Sequence, residues 1–374
     1  MGAGVLEHVF TSAEFARRRQ ATLGLAEAAG AGVVLSFGEN RSGVHVTYLT
    51  GWPVTRLAHH RLSASESRLW VQFHNHVASA RRTAVDADVR DVDADTVDAL
   101  IGRDSCLATL GSVPGPVRQR AAELGVSLVP IDAAHARLRQ VKSAEEQDAL
   151  RLGAAASDAG AEALIDACAP GATDWDLLAA ARGAYTRRGG RDHICYICVT
   201  DMQDPDRDVP GQVPEGRVLR PGSVVTFELS ASVAAEYPGQ VLRTITLGEP
   251  TDEYRRMHDV AMAAREAVRA LVRGGRPAAA LVEASAGIEQ AGFTTTDDLF
   301  HGLGMGYLEP IGTSASRVPS HVPDIDLRSG MSIVVQPNVT RLDHRAGVQT
   351  GEMVIVTDEG FEDIHRIPTG LVTR

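Results

Sequence analysis

The sequence predicts an α+β protein of two domains, a smaller α/β domain over residues 1–138 and a larger α+β domain over residues 139–374. Three observations predict this division. Strands alternate with helical segments through the first part, which is typical of a mixed sheet covered by helices. A basic linker follows, and Ser143 with Glu146 three residues later makes the capping-box pattern that starts a helix. Beyond it, helices and paired strands follow one another in blocks.

In the first domain, residues 12–30 have a helical period that closes on Gly30. Three apolar runs predict strands: AGVVLSF, GVHVTYLTGW and SRLWVQF. Two units of a helix followed by a strand come next, TVDALIGRD with SCLATLG and VRQRAAELG with VSLVPID. These elements fit one sheet with helices packed against it.

The second domain begins with two helices, the first ended by Pro170-Gly171 and the second capped by Asp174. Strands are predicted at HICYICVT, GSVVTFELSAS, GQVLRTITLG, MSIVVQPNV and GEMVIVTDEGFEDI. Helices are predicted over residues 254–273, with one apolar stripe, and in AAALVEASAGIEQAG. The long Pro/Gly/Asp-rich stretch over residues 201–222 is typical of a functional or mobile loop.

Composition narrows the class of protein. A hydrophobic content of 44% is enough for a full core, and a net charge of −11 argues against binding nucleic acid, whose phosphates require a basic surface. Four cysteines do not make a disulfide scaffold. No apolar run reaches the ~18–20 residues of a membrane span, and the N-terminus lacks the pattern of a signal peptide. We therefore expect a cytoplasmic protein with no membrane partner.

From Arg137 onward, six motifs follow one another in a definite order: RQVKSAEE, VLRPGSVVTFEL, GQVLRTITLG, HGLGMGYLEP, LRSGMSIVVQPNV and GVQTGEMVIVTDEG. In this order they resemble the M24 family of aminopeptidase P, prolidase and creatinase. The resemblance implies a C-terminal pita-bread domain of the creatinase/aminopeptidase type. The first domain resembles the smaller creatinase-N-like domain of the longer family members.

The hydrolytic members of this family bind two metal ions through five residues. The resemblance places those ligands at Glu228, Gln240, His301, Gln336 and Gly351, with Glu352 next to the last. Two positions hold neutral amides and one has no side chain, so most of the negative charge that retains divalent ions is lost. We expect no metal pair and no cofactor. A single weakly held divalent ion on Glu228, His301 and Glu352 is the alternative.

Creatinase and ectoine hydrolase resemble this chain further, the latter in the run FELSAS…LRT. They imply a metal-independent hydrolase that cleaves a C–N bond (amide, amidine or ring) in a small polar or zwitterionic molecule. The predicted catalytic residues are Glu228, His301 and Glu309, the first acting as a proton shuttle or nucleophile. The predicted substrate-binding residues in this domain are Gln240, Gln336, Tyr307 and Glu352, with the two amides as oxyanion donors.

Structural interpretations compete with these roles. Glu228 could be a buried acid paired with Arg243, His301 a core histidine, and the two glutamines relics of a lost site. The hairpin that carries Glu228 is one residue longer than usual in the family, so a bulge or wider turn is implied. The direction in which Glu228 faces is therefore left open.

One segment of the first domain is also a candidate. The run LTGWPVTRLAHHR carries Trp52, Arg56 and His59. In creatinase-like dimers the matching loop reaches the partner's active site and holds a substrate carboxylate, which an arginine suits. The resemblance thus implies a homodimer with an intersubunit site. The alternative is an exposed, solvated basic turn.

Two further functions remain open at this point. A metal-dependent Xaa-Pro peptidase would use an unusual ligand set. A non-catalytic relative, or a lyase or isomerase of a specialised metabolite, would keep the fold without hydrolysis, because fold alone does not determine function.

Overall fold

The computed structural model describes residues 10–233 and 236–374. The predictions made for the extreme N-terminus and for the tip of the Glu228 hairpin, at Ala234 and Ala235, lie outside these residues. The chain divides into two compact units, Met1–Arg139 and Gln140–Arg374. Among the helices of the described part, none is both long and apolar enough to cross a bilayer.

The first unit is an α/β domain built on one six-stranded sheet. Its elements in chain order are α1 (Ser12–Ala28), β1 (Val34–Gly38), α2 (Val44–Thr50), β2 (Ala58–Leu62), β3 (Ser67–Val71), α3 (His74–Thr83), β4 (Asp88–Asp91), α4 (Thr96–Ile101), β5 (Cys106–Leu110), α5 (Gly115–Glu123), β6 (Ser127–Pro130) and α6 (Asp132–Leu138). The strand order is β4-β3-β2-β1-β5-β6. Parallel and antiparallel pairs both occur, so the predicted mixed sheet is confirmed.

One predicted strand of this unit is wrong. GVHVTYLTGW forms helix α2, which begins after Gly43 and ends at Gly51 with φ of 78°. A left-handed glycine closes a helix by turning its N–H back to the last turn, and the N–H of Gly51 bonds the carbonyl of Thr47 at 2.8 Å. The β-branched composition suggested a strand, but the packing of Val46–Thr50 in the core overrode that preference.

The second unit carries a nine-stranded sheet and the larger helices. Its elements are α7 (Ala144–Ala167), α8 (Asp174–Thr186), β7 (Arg191–Asp201), β8 (Ser223–Ser232), β9 (Pro238–Thr246), α9 (Asp252–Arg269), α10 (Ala279–Ala284), α11 (Gly287–Gln290), β10 (Phe300–Gly304), β11 (Gly306–Gly312), β12 (Ser332–Val335), β13 (Asn338–Thr340), β14 (Gly347–Gln349), β15 (Gly351–Val356), β16 (Phe361–Asp363) and β17 (Val372–Thr373). The main path runs β11-β10-β12-β15-β9-β8-β7. The capping box at Ser143 is confirmed, whereas the cap of α8 is Thr173 rather than Asp174.

Helix α7 holds the β8–β9 hairpin at very short range. A Cβ on Gly239 would lie 2.3 Å from the Cα of Ala154, and a Cβ on Gly153 would lie 2.5 Å from the carbonyl oxygen of Tyr237. The Ser157 hydroxyl donates to the carbonyl of Gly239 at 2.7 Å and accepts from the N–H of Ala231 at 2.8 Å. The two strands that carry the candidate site residues are therefore fixed to the helix by backbone contact.

The register of these strands decides which side chains share a face. β8 and β9 pair without a shift, with Glu228 opposite Leu242 and Ser230 opposite Gln240. Side chains two residues apart on a strand point the same way, so Glu228 and Gln240 face the same side of the sheet. The described part of the hairpin ladder contains no bulge, which settles the direction of Glu228.

The same argument places Glu352 on the opposite face. In β15, Gly351 lies opposite Leu242 and Glu352 opposite Val241. Glu352 is buried there among three guanidinium groups, 3.0 Å from Arg243 and 3.1 Å from Arg269, with Arg265 in direct contact. Burial opposes ionisation, but the three cations hold the pKa of Glu352 below its ordinary value. Its predicted substrate-binding role is wrong, and it joins β15 to β9 and α9.

This cluster gives a stability prediction. Glu352→Gln leaves Arg243 without an ion pair and removes one of the two anions of Arg265 and of Arg269, and we expect it to lower the free energy of unfolding by about 3–5 kcal/mol. The matched control is Glu362→Gln, which breaks a half-exposed pair with Arg151 and is expected to cost about 1 kcal/mol or less. Urea denaturation of both variants measures the difference. Equal losses would contradict the structural role of Glu352.

Candidate active site

A cavity of about 380 Å³ in the second unit brings several predicted residues together. Glu228, His301, Tyr307 and Gln336 line it, and Gln240 lies directly behind Glu228. Tyr196 joins them because it pairs with Glu228 across β7 and β8. A larger cavity of about 660 Å³ lies within the first unit. We place the site in the smaller one because buried acid, imidazole and amide groups converge there.

Gln240 connects the polar groups of the cavity floor. Its Nε2 donates to Oε1 of Glu228 at 2.7 Å and to Oε1 of Gln336 at 2.9 Å. Nε2 of Gln336 in turn faces the carbonyl of Asp298 at 3.3 Å. Because an amide nitrogen carries two hydrogens, both donors of Gln240 are engaged. The expectation that Gln240 serves as an oxyanion donor therefore does not match this arrangement, whereas the same role for Gln336, which lines the cavity, stays a prediction.

The acid and the imidazole of the site both favour the uncharged form. Burial first, and then the charges of Asp297 and Asp298, raise the pKa of Glu228 from its ordinary 4.5 to about 8. Burial lowers the pKa of His301 from 6.5 to about 4. At neutral pH Glu228 is therefore mostly a carboxylic acid and His301 a neutral imidazole.

The tautomer of His301 follows from its hydrogen bond. Nδ1 lies 3.1 Å from the carbonyl oxygen of Gly302, which can only accept, so Nδ1 carries the proton. Nε2 then holds the lone pair, and the Gln336 side chain also hydrogen-bonds this imidazole. Tyr307 stacks on this ring with the centroids 4.0 Å apart, and its hydroxyl donates to Asp298. The imidazole is held in one orientation with Nε2 as a proton acceptor.

Glu309 does not belong to the cavity. The pairing of β10 with β11 shifts between His301 and Gly302, which leaves Glu309 and Pro310 as a bulge. Glu309 is exposed, and its carboxylate accepts from the N–H of Ile311 at 2.7 Å. Its predicted catalytic role is wrong because the bulge turns its side chain away from the cavity lining.

The candidates of the first unit also differ from expectation. Trp52 is buried in the core of its own domain and His59 lies on β2 against Phe37, with ring centroids 5.4 Å apart. Neither can extend from a loop toward another subunit. Arg56 alone is exposed, with Nη1 3.1 Å from Oδ1 of Asn40.

The structure adds residues that sequence reasoning missed. Asp297 and Thr296 line the cavity, while Asp298 bonds Tyr307 and pairs with Arg317. The adjacent acids three and four positions before His301 were a visible signal for them. The loop over residues 201–222 contributes Val209, Pro210 and Gln212 to the wall, in line with its predicted functional role.

The donor set does not fit a pair of divalent metal ions. The amide hydrogens of Gln240 point at Glu228 and Gln336, where a ligand would present lone pairs. At Gly351 a Cβ would lie 2.2 Å from the carbonyl oxygen of Val335, so no side chain can occupy that position. Glu352 faces the arginines, which argues against the alternative of a single ion on Glu228, His301 and Glu352. Within residues 10–233 and 236–374, no group of three His, Cys, Asp or Glu suits a metal ion.

The ionisation of Glu228 predicts how the stability of the protein depends on pH. The pKa of Glu228 is near 8 in the folded protein and near 4.5 in the unfolded chain. Between these pH values the folded protein keeps the proton and the unfolded chain loses it, so the free energy of unfolding falls as the pH rises from 4.5 to 8. Glu228→Gln removes the ionisation and is expected to raise the unfolding temperature at pH 9 but not at pH 4.5. The gain corresponds to a few kcal/mol.

Glu309→Gln is the matched control, and we expect its unfolding temperature to follow that of the wild type at both pH values. Calorimetry at the two pH values measures both variants. A gain for Glu228→Gln that is independent of pH would contradict the buried, protonated acid.

Comparisons with known proteins agree with this architecture. The chain is 26% identical over 276 residues to the uncharacterized hydrolase/peptidase y4tL of Sinorhizobium fredii, covering 69% of this chain and 66% of that protein. It is 27% identical over 254 residues to the probable dipeptidase PepE of Mycobacterium bovis, covering 67% and 65%. The chain thus aligns with slightly less than two thirds of each relative's length.

Solved structures show the same fold over nearly the whole chain. Dipeptidase PepE from Mycobacterium ulcerans superposes with a TM-score of 0.80 at 23% identity, covering 97% of this chain and 99% of that one. The prolidase from Pyrococcus horikoshii superposes with a TM-score of 0.78 at 17% identity, covering 94% and 99%. The predicted pita-bread fold with its N-terminal α/β domain is confirmed.

The special likeness to creatinase and ectoine hydrolase stays a prediction. The family model for metallopeptidase family M24 matches residues 148–358, which is more than half of the chain. The related hydrolases and peptidases support the predicted hydrolase class acting on C–N bonds. The chain belongs to metallopeptidase family M24.

Proposed function

We propose that this M24 protein hydrolyses a C–N bond in a small polar molecule by proton transfer between its own side chains. The observation that carries the proposal is the cavity itself, in which a carboxylic acid, Glu228, and a neutral imidazole, His301, line one space. Their pKa values are pushed in opposite directions, to about 8 and about 4. Such a separation is typical of an acid and a base that act together.

The proposed reaction is balanced in protons. As water attacks the carbon, Nε2 of His301 accepts a proton from the water and a C–O bond forms. The Glu228 carboxyl group gives its proton to the nitrogen as the C–N bond breaks. The imidazolium and carboxylate left behind then exchange the proton through solvent, which restores the starting state.

Gln240 and Gln336 support this chemistry by position. The N–H donated by Gln240 holds the Glu228 carboxyl group in one rotamer, and the bond from Gln240 to Gln336 links strand β9 to the end of β12. We class Gln240 as a positioning residue, because its amide hydrogens bond Glu228 and Gln336 rather than facing open space, and we keep Gln336 as a substrate-binding residue because it lines the cavity.

The names of the relatives favour a second candidate, a metal-dependent dipeptidase or prolidase. This candidate requires ligands that the described cavity does not present. A dimer in which Arg56 of one subunit serves the other subunit's site stays part of the proposal, supported by the exposure of Arg56. Gel filtration of Arg56→Ala together with its KM separates assembly from substrate binding.

The central test is turnover with and without metal. Protein dialysed against a chelator and checked by elemental analysis is assayed on cyclic amidines, guanidino acids and Xaa-Pro dipeptides. We expect activity to be unchanged by the chelator. Restoration of lost activity by Mn²⁺ or Zn²⁺ would establish the metallopeptidase instead.

Glu228→Gln is expected to reduce kcat by about 10²–10⁴-fold, because it removes the proton donor. Glu309→Gln, the same chemical change outside the cavity, is expected to keep kcat near the wild-type value. If Glu228→Gln is as active as the wild type, the acid–base mechanism is wrong. If no compound in the panel is turned over while several still bind, the protein is better described as a binding module.

A further inference from the structure

The buried carboxyl groups of the second unit have cations or hydrogen-bond donors as partners, and two acids of the cavity are exceptions. Glu352 has three arginines, and Asp158 accepts from His365 at 2.7 Å and from the N–H of Arg366 at 2.6 Å. Glu228 and Asp297 have no ion pair with any residue that the structure describes. A buried carboxylate normally has a cation or several donors as partners. Neither acid is therefore ion-paired within the described part of the chain, and only the more distant charge of Arg317 acts on the half-buried Asp297.

The free atoms of both acids belong to the cavity wall. Glu228 is 8% exposed, and Gln240 bonds only its Oε1, which leaves Oε2 without a hydrogen bond from the described part of the chain. Asp297 accepts the N–H of Asp298 at 2.8 Å through Oδ1, and Oδ2 has only a 3.5 Å contact with Nε2 of Gln349. Asp297 thus keeps an oxygen that can accept a further N–H, while Oε2 of Glu228 carries the proton of the neutral acid.

Asp298, the neighbour of Asp297, shows how an acid with partners is bonded in this region. Asp298 pairs with Arg317 through Oδ1 and accepts the Tyr307 hydroxyl through Oδ2, so both of its oxygens are occupied. Arg317 and Tyr307 thereby compensate Asp298 and leave Asp297 free. No lysine or arginine lies in the described cavity lining.

The other walls suit a flat or apolar organic group. Tyr196 and Tyr307 contribute aromatic rings, and Ile194, Val209 and Pro210 contribute apolar surface. Aromatic faces attract organic cations. A cavity of about 380 Å³ limits the ligand to a small molecule.

We propose that Asp297 forms a recognition subsite for the N–H groups of a small organic cation, either a primary ammonium or a guanidinium, next to the protonated carboxyl group of Glu228. The ligand supplies the positive charge that the protein omits. Asp297 is a substrate-binding residue in this arrangement, and it places the cationic group beside the acid that protonates the leaving nitrogen. The inference rests on the proposed function for its catalytic meaning, but the binding itself needs no turnover.

Calorimetric titration in the presence of a chelator tests the subsite with three probes of one size: butylguanidinium, butylammonium and neutral butylurea. We expect at least one cation to bind about tenfold or more tightly than butylurea, as for a charge-assisted hydrogen bond of about 1.4 kcal/mol. The stronger of the two cations identifies the group that the subsite recognises. Equal binding of all three probes, or tighter binding of butylurea, would overturn the proposal.

Asp297→Asn locates the effect, because asparagine keeps the Oδ1 acceptor for the N–H of Asp298 and loses only the charge. We expect it to reduce the preference for the cation over butylurea to about threefold or less. Asp324→Asn, an exposed acid outside the cavity lining, is the matched control and should leave the preference unchanged. An undiminished preference in Asp297→Asn would also overturn the proposal.

The wild-type comparison of cation and urea decides the question even if Asp297→Asn does not fold. The result is also separable from the proposed function. Cation preference without chelator-resistant turnover would retain the subsite and reject the acid–base mechanism. Chelator-resistant turnover with no cation preference would reject the subsite and retain the acid–base mechanism.

Discussion

The two N–H bonds of Gln240, to Glu228 and to Gln336, are the interaction on which the site depends. They join β8, β9 and the end of β12 on one face of the sheet. A carboxylate at position 240 would have to share either the proton of Glu228 or a bridging cation with it, because two charged carboxylates at this distance repel each other. The amide makes the bridge with its own hydrogens, so the cavity floor is complete without an ion. The closed backbone contact at Gly351 removes a further ligand position from the same face.

In this arrangement Glu228 is buried without a counter-ion among the described residues. Without a cation nearby, its burial is tolerated because the carboxyl group retains its proton, which is the form that a general acid requires. Glu352, two strands away on β15, shows the opposite solution, an ionised carboxylate held by three arginines on the other face of the sheet. The two acids share burial and differ in their neighbours, and their roles differ accordingly. Asp297 lies between these cases, buried in part, with no ion pair to a described residue and with only the more distant charge of Arg317 acting on it.

Rigidity of the site comes from elements away from it. Helix α7 reaches the hairpin through Gly153 and Gly239, where any side chain would collide with backbone, and Ser157 fastens both strands. Tyr307 holds the His301 ring by stacking, and Asp298 with Arg317 holds Tyr307. The proposed proton donor and acceptor are thus held in one geometry by contacts around the cavity.

The sequence by itself determined the family, the two-domain α+β architecture and the loss of metal-binding carboxylates, because motif order and side-chain charge are written along the chain. Capping at Ser143 and the strands around Glu228 followed from local patterns of the same kind. Tertiary structure alone decided what depends on register and contact. The alternation of side chains along β15 places Glu352 beside the arginines, and a bulge in β11 turns Glu309 away from the cavity. Core packing makes a helix of the β-branched segment and buries Trp52. Asp297 lies in the cavity because its loop packs against the β8–β9 hairpin that carries Glu228. Local sequence spacing does not predict this contact, because the two residues are about seventy positions apart.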